Sequence, residues 1–366
     1  MTYTTIDRAQ TLYNAIVDVF DYNSTSECVT PLGLALSHTP KIKPDQRVII
    51  PAAGIGTYVL AALIKGASPE NITAVEISPS YHRLGSGMFS RFGVNYVLEN
   101  FLEWDPGMES FDVAICNPPY QRGRNSDFYI QFLKKTNEIL VEGSNWSILS
   151  PTKGSMPSSK AQKPLKDLGW SRLELGAESW FPGQQQTISI YEGVKGSDPG
   201  SLEVICGDHV GHYPFGSVFP VNAASETAIS ILNKFFSYGE KIPFNRTKEE
   251  PSTDYLFVSR MVKRYSPHKA KGGPLGLRVF VNQCGESKDG AFIECPREKA
   301  VAYQDLLTNS PVYRYISANC LRAAFVPPLF WKQTPDFLGD NDEKIFKKLG
   351  LTSMEQEAIM SWAANN

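Results

Sequence analysis

Between Val48 and about Tyr191, apolar runs of strand length alternate with segments of helical spacing. The runs are Val48 to Ile50, Ile72 to Val75, Asn95 to Leu98, Phe111 to Cys116, Trp146 to Leu149 and Thr187 to Tyr191. Tyr58 to Lys65 and Phe128 to Leu140 place apolar side chains at helical spacing. This alternation predicts an α/β domain: a mostly parallel, Rossmann-like sheet with helices on both faces. The rhythm stops near Gly196, where "GVKGSDPG" is dense in turn formers and marks a boundary. Residues 1–195 are therefore expected as one domain and 196–366 as a second, mixed α+β domain. The second holds β-like runs ("YLFVSRMVKRY", "LRVFVNQCG", "GAFIEC") and, from Asn341, an amphipathic helical tail.

A chain of 366 residues fits this division into domains. The net charge of -2 predicts no partner by itself, so any electrostatic argument is local. The six cysteines are scattered without the close spacing of a zinc clip, which suits a reducing compartment. His209 and His212 have no third ligand at metal-binding spacing, so no metal is expected. Met1 to Gln10 lacks the apolar core of a signal peptide, and no run reaches membrane-spanning length. A soluble, cytoplasmic, monomeric protein with no membrane partner is the expectation.

In an open α/β sheet, ligands bind beyond the carboxyl ends of the strands. Three such ends carry candidate chemistry. After Ile50 comes "PAAGIGTYVLAAL", in which Gly54 and Gly56 allow a tight turn and close backbone approach before a helix. The second end places Glu76 after an apolar strand, about 20 residues beyond the glycines, a spacing suited to binding ribose hydroxyls. The third is Asn117-Pro118-Pro119-Tyr120 after the strand Phe111 to Cys116. Consecutive prolines fix the backbone, so their carbonyls point in set directions. With the Asn117 side-chain oxygen they offer two acceptors to one NH₂ group. An exocyclic nucleobase amine is a poor nucleophile because its lone pair is delocalised into the ring. Two acceptors localise that pair and stabilise the charge that develops on nitrogen. Tyr120 can stack on the base.

These motifs, in this order, resemble the γ-class adenine-N6 DNA methyltransferases that use S-adenosylmethionine. The resemblance rests on "TPLGLAL", the glycine loop, Glu76, "NFLEWDP", "NPPY" and "LGAESWFPGQQQTISIY", and covers about residues 25 to 195. It implies a class I methyltransferase fold. Thr30 and Pro31 would seat the methionine part of the cofactor, beside a loop that includes Pro51, Ala52, Gly54 and Gly56. Glu76 would bind the ribose, and Asn100 with Phe101 would border the adenine. Asn117 and Pro118 would hold the target amine, and Tyr120 and Phe181 would sandwich the flipped base. Flipping is required because the amine lies within the duplex stack. Two positions depart from the family pattern: Ile50 stands where an acid is usual, and Asn100 where an aspartate is usual. Both remove negative charge from the expected cofactor site.

Between Tyr255 and Gly285 stand Arg260, Lys263, Arg264, Lys269, Lys271 and Arg278, with no Asp or Glu. An acid-free basic stretch with interleaved aromatics in a slightly acidic chain predicts phosphate contact, with double-stranded DNA as partner. The same amine chemistry would also serve a protein glutamine or an RNA amine, and Ile50 with Asn100 would suit a DNA-binding relative that has lost activity. No nuclease constellation is legible, so a fused restriction activity is not expected.

Overall fold

The computed structural model describes residues 7, 10, 11, 13 and 14, then 29–107, 110–120, 127–181, 186–198, 200–221, 225–246, 250–264, 275–284, 290–320 and 328–366. They form two compact units, Met1–Gly154 with Lys160–Phe215, and Ser155–Ser159 with Gly216–Asn366. In the first unit the strands are β1 (Val48–Pro51), β2 (Ile72–Glu76), β3 (Asn95–Leu98), β4 (Phe111–Cys116), β5 (Leu140–Pro151), β6 (Trp170–Leu175), β7 (Ile188–Val194), β8 (Ser201–Cys206) and β9 (His209–Pro214). Its helices are α1 (Leu32–His38), α2 (Thr57–Ile64), α3 (Pro79–Phe89), α4 (Tyr129–Ile139) and α5 (Gln162–Asp167).

The nine strands form one sheet in the order β3-β2-β1-β4-β5-β7-β6-β8-β9. β3, β2, β1, β4 and β5 pair in parallel, as the apolar rhythm predicts. Burial on both faces explains why β1 and β2 are buried at every position. α2 is also buried from Thr57 to Leu63, which accounts for a helix that is apolar nearly all round. β7 runs antiparallel to both β5 and β6.

Two features depart from the sequence expectation. β6 was not anticipated, because Arg172 and Glu174 interrupt its apolar pattern. In the sheet those charges are neighbours: Arg172 pairs with Glu174, Glu192 and Glu203 on β6, β7 and β8. The turn-rich stretch at Gly196 does not end the sheet. It connects β7 to β8, which joins β6 in parallel and continues through β9, so the first unit extends to Phe215 rather than stopping at 195. Alternate positions of β8 are buried, the pattern of a strand with one face on the core.

The second unit has the mixed α+β character expected. β10 (Tyr255–Arg264), β11 (Leu275–Val281) and β12 (Gly290–Glu294) form an antiparallel sheet in the order β11-β10-β12. Its helices are α6 (Glu226–Ser237), α7 (Arg297–Asn309), α8 (Pro311–Cys320), α9 (Pro328–Gln333), α10 (Asp342–Leu349) and α11 (Ser353–Asn365). Phe235, Leu256, Leu307, Tyr313, Phe330 and Ile345 meet in its core. The helical tail is split at Gly350, whose positive φ of 61° ends α10, and a Thr352–Glu355 capping box starts α11.

Gly56 is the tightest fit in the first unit's loop after β1. Its φ is 99°, and a Cβ there would fall 2.4 Å from the Phe89 ring. Gly54 also has positive φ, 58°, but open space around the Cβ position. Gly56→Ala should therefore cost about 2–4 kcal/mol, from backbone strain plus overpacking, and Gly54→Ala about 1–2 kcal/mol, from strain alone. Urea unfolding of the two variants checks this; equal losses would refute the packing account.

Candidate active site

β1 lies between β2 and β4, so the chain winds outwards in both directions from this point. That is a topological switch, and it opens a crevice at the carboxyl ends of β1 and β4. Ile49 pairs with Ala114, and each strand runs two residues further before it ends. The glycine loop and the Asn117 motif therefore leave the sheet side by side.

The glycine loop is held from both sides. The Gly54 N–H donates to Glu76 Oε2 at 2.7 Å, and Tyr96 Oη donates to the Gly54 carbonyl at 2.7 Å. Glu76 Oε1 accepts from the Ser78 N–H at 2.7 Å. Glu76 is buried, so its carboxylate ties the loop after β1 to the start of α3. A carboxylate oxygen accepts more than one hydrogen bond, so this role is compatible with ribose binding. Ala52 precedes the glycines with φ 49°, an uncommon conformation for a residue with a Cβ. Pro51 is the buried last residue of β1, and Ile50 is fully buried in the sheet. A carboxylate at position 50 would sit among apolar side chains.

On the neighbouring strand, Asn117 is half-buried, Pro118 buried and Pro119 exposed. Asn117 Nδ2 donates to Thr30 Oγ1 at 3.1 Å, and Tyr120 Oη donates to Asn117 Oδ1 at 2.7 Å. Thr30, which the resemblance puts on the cofactor, is thus a direct partner of the Asn117 amide. Pro31 caps α1 just after it. Behind Thr30 lies a buried polar chain. Thr30 bonds the Tyr58 hydroxyl, Tyr58 Oη meets His38 Nε2 at 3.1 Å, and His38 Nδ1 meets Ser147 Oγ at 2.7 Å. Burial, with the Arg172 charge adding to it, lowers the His38 pKa to about 3. Cys116, the residue before Asn117, is fully buried, which pushes its thiol pKa up.

Other expected site residues stand differently. Phe181 is only 6% exposed and belongs to the buried cluster that also holds Leu149, Ala177, Ile188 and Ile190. Trp180 beside it is 46% exposed, and a Cβ on Gly33 would fall 3.0 Å from its ring. Phe181 is extended, with φ -118° and ψ 92°, and in extended backbone adjacent side chains diverge. One of the pair must turn inwards, and Phe181 does. Phe101 is also buried, stacked on Phe132 with centroids 5.5 Å apart. Asn100 closes a turn instead of ending in solvent: its Oδ1 accepts from the Leu102 N–H at 3.2 Å, and its carbonyl accepts from Glu103 and Trp104.

The sequence reading missed Ile77 and Leu98, which end up 57% and 49% exposed. They stand at the carboxyl ends of β2 and β3, flanking the crevice beside Glu76. The available signal was one apolar residue just after β2 and another ending β3. His209 and His212 are three residues apart on β9, hence on opposite faces of the strand, where they cannot share a metal.

In the second unit, Arg260, Lys263 and Arg264 are positions on β10, and Lys269 and Lys271 lie outside the described residues. β12 pairs with β10 only from Tyr255 to Ser259, whereas β11 pairs with it as far as Arg264. Among the described residues, the basic half of β10 is therefore one strand of a two-stranded ribbon. No helix among the described residues is long and apolar enough to cross a membrane.

His38 makes stability depend on pH. It is neutral when folded and takes up a proton below about pH 6.5 when unfolded, so unfolding consumes a proton in acid. The contribution is full above pH 6.5 and is lost as pH falls towards 3. Between pH 6.5 and 4.5 the loss should be roughly 2 kcal/mol in wild type and absent in His38→Gln. Urea unfolding across that range checks it; parallel pH curves for the two proteins would refute it.

No protein-family model matches the chain, and no curated protein sequence matches it. Several solved structures show a partial likeness to it. The type I restriction-modification system methyltransferase subunit from Streptococcus thermophilus is 16% identical, with a TM-score of 0.43, over 52% of this chain and 50% of that one. The type IIG restriction endonuclease BpuSI is 13% identical, with a TM-score of 0.44, over 72% of this chain and 39% of that one. The type I restriction enzyme EcoKI M protein is 14% identical, with a TM-score of 0.44, over 81% of this chain and 72% of that one. The chain thus spans half or less of the length of the first two.

Proposed function

We propose that this chain transfers a methyl group from S-adenosylmethionine to the exocyclic N6 amine of an adenine flipped out of double-stranded DNA. The observation that carries the reading is the Asn117-Pro118-Pro119-Tyr120 motif leaving β4 at the switch point, beside the glycine loop that leaves β1. A ligand pocket in this fold belongs at that place, and the motif supplies paired acceptors there.

The residues present fit the cofactor. The space over Gly54 where a Cβ would stand is open, so a ligand can approach the backbone closely. Glu76 is fixed beside it for ribose hydroxyls, and exposed Ile77 offers an apolar surface for a planar base. When bound, the cofactor supplies an electrophilic methyl group on a sulfonium. Asn117 Oδ1 and the Pro118 carbonyl accept the two hydrogens of the target amine, draw them out of the ring plane and favour a nucleophilic lone pair. Tyr120, half-buried and bonded to Asn117, provides a ring face against the base.

DNA is favoured over a glutamine side chain or RNA by the basic ribbon. The major groove admits a two-stranded β-ribbon, and Arg260, Lys263 and Arg264 lie on the two-stranded part of β10. The second unit is then the target-recognition domain.

Asn117→Ala should lower single-turnover adenine methylation on the order of 10²-fold or more, with the fold and DNA affinity retained. An unchanged rate would remove Asn117 from the reaction. Neutralising Arg260 and Lys263 together should flatten the log–log dependence of DNA affinity on salt by roughly 1.8, about 0.9 per phosphate contact, while cofactor affinity stays unchanged. A full slope in the double variant would move the DNA elsewhere.

A further inference from the structure

We propose that His38, acting through Tyr58 and Thr30, is a positioning residue that sets which end of the Asn117 amide faces the target amine. The inference rests on the methyltransferase reading of Asn117 and adds residues that the motif does not contain.

The difficulty it resolves is local. An asparagine amide is nearly symmetric in shape, but one end accepts hydrogen bonds and the other donates. Only the oxygen can receive an amine; the NH₂ end would face it donor to donor. The immediate partners do not fix the choice. Tyr120 Oη and Thr30 Oγ1 are hydroxyls, and each can donate or accept.

Behind them the chain runs to a histidine, whose tautomer is coupled to that choice. His38 is 2% exposed and neutral, so one ring nitrogen donates and the other accepts. With the proton on Nδ1, directed at Ser147 Oγ, Nε2 accepts from the Tyr58 hydroxyl. That uses the only hydrogen Tyr58 has, so the Tyr58 oxygen accepts from Thr30. Thr30 has then spent its own hydrogen and accepts from Asn117 Nδ2. The donors all point one way, and Oδ1 is left on the side of Tyr120 and the substrate. Were the proton on Nε2, every hydroxyl in the chain could reverse and the NH₂ end could turn towards the substrate. A neutral imidazole donates from one ring nitrogen and accepts at the other, so the tautomer of His38 is tied to the direction of the whole chain. Burial beside Arg172 keeps it neutral across the working pH range.

The test uses the whole chain and two readouts. Tyr58→Phe keeps the ring and removes one hydroxyl. It should slow single-turnover methylation about 10-fold or more, with the dissociation constants for S-adenosylmethionine and DNA within about twofold of wild type. In ¹⁵N-labelled protein, the Asn117 side-chain NH₂ resonances, assigned by their loss in Asn117→Asp, should shift and exchange faster with solvent. His38→Leu should behave the same way. His38→Gln, which can accept from Tyr58 and donate to Ser147, should recover most of the rate and the amide signature. If His38→Leu fails to fold, Tyr58→Phe still decides the matter. Wild-type rate and unchanged Asn117 resonances in Tyr58→Phe would overturn the relay. A wild type that methylates no DNA would instead remove the functional reading, and the amide resonances alone would then judge the relay.

Discussion

The parallel pairing of β1 with β4 is the constraint on which the candidate site depends. Val48 to Ile50 and Val113 to Cys116 are apolar and buried, and burial on both faces suits parallel neighbours with helices above and below. Once Ile49 stands opposite Ala114, the loops after the two strands must start together. Everything chemical follows from that register. The glycines, Glu76 and the Asn117 motif, dispersed along the chain, open onto one crevice. A one-residue slip of β4 would turn its side chains to the opposite face.

The site is also held by polar groups that never reach solvent. Glu76 anchors the glycine loop through backbone N–H donors on two segments. Removing its carboxylate would take this acceptor from both half-buried donors and free the loop after β1 from the start of α3. Thr30, Tyr58, His38 and Ser147 extend from the Asn117 amide into the first unit's interior. A buried network of this kind is favourable only when every member is paired. Its residues come from four separate parts of the chain, so its alignment also reports whether the strands and α1 are correctly assembled.

The second unit contributes a different kind of feature. Its sheet is a three-stranded layer at one end and a two-stranded ribbon at the other, because β12 is half the length of β10. The basic positions lie on the ribbon end, away from the stretch where β12 adds a third strand. The buried apolar positions Tyr255 to Val258 lie on the three-stranded end.

Much of this was legible in the chain. Apolar runs located β1 to β4 nearly to the residue, and the types at the strand ends named the chemistry: glycines for backbone approach, an acid, and an amide followed by prolines. Those signals are local, and local spacing carries them. What the sequence could not convey was which way a side chain turns and what it meets. β6 was hidden because its charges are satisfied only by Glu192 and Glu203 on other strands. The turn formers at Gly196 announce a reversal but not whether the strand beyond it rejoins the same sheet. Phe181 and Trp180 are interchangeable as text, yet one joins the buried cluster that includes Ile188 and Ile190 and the other stays exposed. His38 has no motif around it. Its role appears only when folding brings Tyr58 and Ser147 within hydrogen-bonding distance, because hydrogen bonds depend on ångström-scale geometry that residue order does not contain.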